Sequence, residues 1–155
     1  MSTNPVFRKL ALPVAVLAGL ALTAPSAAAP RAVKLKGTDN MRYDVTKIDA
    51  KPGEELEIQL TSVSSMSKAE MAHNFVLLAK NAPVDALVME AAMARASDYI
   101  PASKKSFILA STTMAGGGET VKVTFKAPTE PGEYMYICTF PGHYMAGMKG
   151  TLVVK

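Results

Sequence analysis

Residues 134–155, YMYICTFPGHYMAGMKGTLVVK, hold the pattern from which the remainder of the chain can be read. Tyr134 to Cys138 is a strand candidate that follows the turn signal Pro131-Gly132, and Thr151 to Val154 is a second strand candidate. The loop between them carries Cys138, His143 and Met148 in the spacing C-x4-H-x4-M. Cys138 is the single cysteine, so no internal disulfide is available to it and its thiol needs another role. The chain has two histidines. His143 lies in the loop, and His73 is left to join it from a distant strand.

Outward from that loop, the chain reads mostly as strands. Leu56, Ile58 and Leu60 alternate with polar residues, as do Met41, Tyr43 and Val45, with Pro52-Gly53 marking a turn between the two runs. Val121, Val123 and Phe125 alternate again, and His73 to Ala79 is a short, strongly apolar strand candidate. Short strands separated by turn signals predict an all-β sandwich. One segment departs from the pattern. Over about residues 84–97, Leu87, Val88, Ala91, Ala92 and Arg95 fall at helical spacing, among strong helix formers and without Gly or Pro. It predicts one helix inserted between strands and lying against the sandwich. Gly116-Gly117-Gly118 reads as a flexible hairpin loop; no Lys-Ser/Thr pair follows it, which argues against a phosphate cradle.

The first residues read as a targeting segment rather than as fold. Arg8 and Lys9 precede the apolar run Leu10 to Ala24, and the small-residue tract Ser26 to Ala29 follows it. The run is shorter than the ~20 residues of a bilayer span, and Pro13 interrupts it. Residues 1–29 are therefore expected to be a secretory signal, cleaved at about 27–29, with residues 30–155 as one domain. A domain of about 125 residues has room for one core but not two. The net charge is +4, or +2 without Arg8 and Lys9, and no basic block stands out, which excludes a nucleic-acid footprint.

A thiolate, two imidazoles and a weak, long thioether together make a type 1 copper electron-transfer site. Soft sulfur favours Cu(I), while imidazole suits both oxidation states. Zinc fits less well, because methionine is a poor zinc ligand and structural zinc sites use four Cys or His donors. Met145, two residues after His143, competes with Met148 for the thioether role. Ten methionines raise the thought of copper storage, yet no dense cluster exists, and Met89 and Met93 fall in the helical segment.

The ligand loop and its flanking strands resemble the azurin, auracyanin and plastocyanin family of blue copper proteins, the cupredoxins. Met71-Ala72-His73-Asn74-Phe75-Val76-Leu77 is similar to the family's first-histidine segment, and a weaker likeness runs through Asp98-Tyr99-Ile100 and Phe107 to Phe125. The resemblance implies a Greek-key β-sandwich holding one copper ion, with His73, Cys138 and His143 as equatorial ligands and Met148 as the axial one. It also implies that Asn74 and Thr139 tie the first-histidine strand to the cysteine loop. The spacing from His143 to Met148 is that of auracyanin and plastocyanin, one residue longer than in azurin. Ala72 stands where azurin has glycine, and azurin's disulfide has no counterpart.

The resulting expectation is a periplasmic one-electron carrier, not an enzyme, with redox proteins docking transiently on a monomer at the exposed edge of His143. Apolar Met71, Phe140, Pro141 and Met145 are expected to ring that edge. The alternative is a periplasmic carrier that delivers copper. A Cys/His nucleophile pair is a third possibility, but the methionine and second histidine favour copper. Copper oxidases and reductases need a second domain or more histidines than this chain holds.

Overall fold

The computed structural model describes Met1 and residues 29–155. The expected signal segment thus lies almost wholly outside the described residues. Among those described, no helix is long and apolar enough to cross a membrane.

Among the described residues, nine strands form two sheets. The first has β1 (Arg31–Thr38), β2 (Arg42–Tyr43), β4 (Glu55–Val63) and β7 (Thr120–Lys126) in the order β2-β1-β4-β7. The second has β3 (Lys47–Ala50), β5 (Val76–Leu78), β6 (Ile108–Ser111), β8 (Gly132–Ile137) and β9 (Lys149–Val154) in the order β3-β9-β8-β5-β6. Strands β1 and β4 run parallel from Arg31↔Leu56 to Thr38↔Val63, and β3 runs parallel to β9. The other pairs are antiparallel.

Alternation explains the packing. Leu56, Ile58 and Leu60 of β4 are fully buried while their neighbours face outward, so one face of the sheet closes on the other. Each such side chain contributes about 1.5–3 kcal/mol by leaving water. Phe75, Leu77, Tyr134, Tyr136 and Leu152 meet them from the second sheet. β5 is apolar at every position because both of its faces are covered. Leu77 points into the sandwich, while Val76 and Leu78 join Leu87 and Ile137 in a second cluster under the helix.

That helix, α1, spans Val84–Ala91, shorter than the 84–97 of the sequence reading. It stops once Leu87 and Ala91 have buried its apolar side, since Ala92 and Met93 face solvent. A single 3-10 turn at Arg95–Ser97 follows, and Asp98 and Tyr99 take left-handed backbone angles, φ 52° and 59°. The Ser97 hydroxyl donates within this turn to the Ala94 and Ile100 carbonyls. Helix propensity yields here to a turn that the metal centre uses. The Gly116–Gly118 segment is likewise not a hairpin: it carries the chain from β6 in one sheet to β7 in the other. A Cβ on Gly117 would lie 2.4 Å from the Ser64 carbonyl oxygen, so backbone packing sets its sequence.

Candidate metal centre

His73 precedes β5 and is clamped to Ala115 by two backbone hydrogen bonds, His73 N–H to Ala115 O at 2.9 Å and Ala115 N–H to His73 O at 2.8 Å. Its ring lies close against β1 at Gly37, where a Cβ would sit 2.6 Å from His73 Cδ2. Cys138 follows the last residue of β8, and its N–H donates to Met148 O at 3.2 Å, closing the loop at its base. His143 opens a single helical turn, α2 (His143–Ala146), bracketed by Gly142 at φ 84° and Gly147 at φ 104°. Those left-handed angles favour glycine at both ends of the turn. Met148 then donates its N–H to His143 O at 2.9 Å and buries its side chain completely.

These elements bring His73, Cys138 and His143 together. Their donor atoms lie within 4.8 Å of one another, all on buried residues. The Cys138 Sγ is 3.5 Å from His143 Nδ1, and the two imidazole centroids are 5.0 Å apart. Three donors at ~2.0–2.3 Å from one ion in a trigonal arrangement stand ~3.5–4 Å apart, so the Cys138–His143 separation already fits and the widest pair closes by no more than about an ångström to seat all three. Both ring nitrogens of His73 are buried without a hydrogen-bond partner. An orphaned imidazole inside a core is costly unless something else takes its lone pair, and a metal ion does so.

Burial sets the charge of the metal-free site. It pulls the His73 imidazole down to about 4, with Asp39 pulling weakly the other way, and the His143 imidazole down to about 4, with help from His73. Burial pushes the Cys138 thiol up to about 12, against the backbone N–H groups of Asn74 and Phe140 that point at its sulfur. At neutral pH the pocket therefore holds two neutral imidazoles ready to donate. The thiol must lose its proton to bind, so metal uptake releases one.

Asn74 and Thr139 are hydrogen-bonded to each other twice. The Thr139 N–H donates to Asn74 Oδ1 at 2.9 Å, and Asn74 Nδ2 donates to Thr139 Oγ1 at 2.8 Å. Asn74 Nδ2 also donates to Asp98 O at 3.2 Å, which is what the left-handed turn after α1 supplies. Two residues escaped the sequence reading. Tyr43 donates its hydroxyl to the Asn74 carbonyl from 31 positions away, and Gly37 makes room for His73. Neither carries a local signal, because each acts on a neighbour brought up by the fold.

The expected apolar ring is only partly as read. Met145 is 77 % exposed and Pro141 is exposed, Phe140 is half-buried with its ring 4.7 Å from that of His143, and Met71 is buried. His143 itself is 2 % exposed, so only a sliver of the ring reaches solvent rather than an open edge. Phe140 and the one-turn helix cover it. Exposed Met89 and half-buried Val88 of α1 continue this apolar surface as the far wall of a shallow cleft.

Comparison with known proteins agrees with this geometry. Residues 30–155 match the family described as copper binding proteins, plastocyanin/azurin family. The chain belongs to that family. It is 49 % identical over 83 residues to Auracyanin-B of Chloroflexus aurantiacus, covering 53 % of this chain but only 35 % of the relative. It is 35 % identical over 144 residues to the azurin of Bordetella pertussis, covering 88 % of this chain and 95 % of the azurin. Among solved structures, auracyanin A, a "blue" copper protein of Chloroflexus aurantiacus, superposes with a TM-score of 0.73 at 34 % identity, covering 82 % of this chain and all of that one. This cupredoxin therefore has the two-sheet fold of its relatives, and its cofactor is copper.

Proposed function

We propose that this cupredoxin is a one-electron carrier whose type 1 copper is held by His73, Cys138 and His143, with Met148 as the weak axial ligand, and that it works in the periplasm after export. The observation that carries the reading is the convergence of two neutral, buried imidazoles and one thiol on a single point, with both nitrogens of His73 lacking any other partner. Copper bound there supplies a Cu(I)/Cu(II) couple that takes up and releases one electron. The chain's own contribution is rigidity. The Asn74–Thr139 pair of hydrogen bonds locks the His73 segment to the Cys138 loop, and the loop is closed at its base by Cys138 and Met148. Little then moves when charge changes, which favours rapid transfer.

Met148 would be the thioether donor rather than Met145, a reading supported by its full burial in the same core cluster as Cys138, while Met145 faces solvent. Met145, Pro141 and Phe140 instead form a small apolar patch over His143, suited to brief docking of redox proteins. The match to the plastocyanin/azurin copper-binding family supports a carrier rather than an enzyme. Delivery of copper to another protein would need a site that opens; the closed loop and fully buried thiol favour retention. The test is copper reconstitution followed by a visible spectrum. Intense thiolate-to-copper absorption that disappears in Cys138→Ser is expected, with a reversible one-electron couple. Colourless metal-loaded protein would refute the copper site, and copper lost readily to a chelator, with no reversible couple, would favour delivery.

A further inference from the structure

Asn74 is held from three directions. Its side chain is tied to Thr139, its N–H points at the Cys138 sulfur, and its carbonyl accepts the hydroxyl of Tyr43. The next N–H along, that of Phe75, donates to Thr112 Oγ1 at 3.0 Å, so the peptide after Asn74 is gripped at both its oxygen and its nitrogen. Tyr43 is well placed to be a fixed grip. It sits on the short strand β2, paired with Gly37 in β1, and is 4 % exposed. Its ring packs 5.5 Å from that of Tyr136, centroid to centroid.

We propose that Tyr43 is a positioning residue for the copper site: its hydroxyl, by fixing the Asn74 carbonyl, holds the Asn74 N–H on the Cys138 sulfur and so tunes the electron affinity of the bound copper. The inference rests on the copper-ligand assignment above. Hydrogen bonds to a ligating sulfur withdraw electron density from it and help set a blue-copper site's potential. Without the hydroxyl, the Asn74 carbonyl is left buried and unpaired, and residue 74 relaxes to recover a partner. Its N–H then turns off the sulfur. The thiolate becomes more electron-rich, which favours the oxidised state. The potential falls.

Tyr43→Phe keeps the ring and removes only the oxygen, so it isolates this effect. Tyr136→Phe is the matched control, because its hydroxyl donates to Val45 O at 2.7 Å, away from the ligand segment. Both variants and the parent are loaded with copper and equilibrated with the ferricyanide/ferrocyanide couple. Tyr43→Phe should shift the oxidised-to-reduced ratio toward oxidised by about three- to tenfold, the range that one lost hydrogen bond allows, with a displaced thiolate-to-copper band. Tyr136→Phe should lose stability while keeping the parent's ratio and band. A Tyr43→Phe protein with the parent's ratio overturns the proposal, and so does an equal shift in Tyr136→Phe, which would mean general loosening of the core. If Tyr43→Phe does not fold, the parent's Cu(I) form decides by NMR. A Tyr43 hydroxyl proton protected from water and an Asn74 amide shifted downfield support the proposal; a freely exchanging hydroxyl overturns it. A parent without the thiolate-to-copper band would instead remove the ligand assignment itself.

Discussion

Replacing Gly37 by alanine would place a methyl group 2.6 Å from His73 Cδ2, 2.7 Å from Cγ and 3.0 Å from Cβ. Ordinary carbon contacts begin near 3.4 Å, so the imidazole must retreat by most of an ångström. It has little freedom to do so, because the His73 backbone is clamped to Ala115 and the ring is fully buried. Metal constellations tolerate about 0.5 Å of misplacement, and overpacking a dense core costs about 1–3 kcal/mol. Gly37→Ala should therefore lower the unfolding free energy of the metal-free protein by about that amount and weaken copper binding by at least tenfold. Urea titration measures the first and copper titration against the thiolate-to-copper band measures the second. An alanine variant with the parent's band, affinity and stability would show that His73 does not depend on β1 for its place.

Three further outcomes are expected. Asn74→Ala strips both bonds to Thr139 and leaves the buried Thr139 N–H unpaired, so it should cost about 2–4 kcal/mol in chemical denaturation; a loss within error would mean that the strut is idle. His73 and His143 lie at about 4 in the folded, metal-free protein, below the ordinary ~6.5 of an imidazole in the unfolded chain. The unfolded state then binds more protons, so stability is fully present above pH ~6.5 and falls as pH drops toward 4. Thermal unfolding of metal-free protein between pH 7.5 and 4 checks this, and a flat profile over that span would contradict it. Met145→Glu should slow electron self-exchange between copper-loaded copies several-fold while leaving the visible spectrum intact, because the side chain is 77 % exposed and charge repels charge across the contact; an unchanged rate would remove Met145 from the docking face.

The ligand loop was legible because its information is local and its residue types are scarce. One cysteine and two histidines leave few ways to assemble a site, while the choice between Met145 and Met148 needed the fold. β4 and β7 were legible for a related reason: a half-buried strand writes its period of two directly into the residues. β1 was harder to read. Lys34 and Lys36 flank Leu35, and its role depends on eight residues of parallel pairing with β4, which no short-range pattern announces. The end of α1 was misjudged because helix propensity continues past Ala91, while the need to hand the Asp98 carbonyl to Asn74 stops the helix there. Tyr43 and Gly37 were missed on the same principle. Their partners, Asn74 and His73, are far away in the chain and meet them only after both sheets have formed.

The place of β9 in the second sheet has a consequence for biogenesis. Residues 149–154 fill the slot between β3 and β8, so β3 lacks its sheet partner, and β8 has only β5, until those residues have left the ribosome. A nascent chain stalled before that point has made Cys138 and His143 but has no closed frame to hold them. Copper acquisition is thereby deferred until translation has passed Val154, and an incomplete polypeptide offers the ion no finished cage.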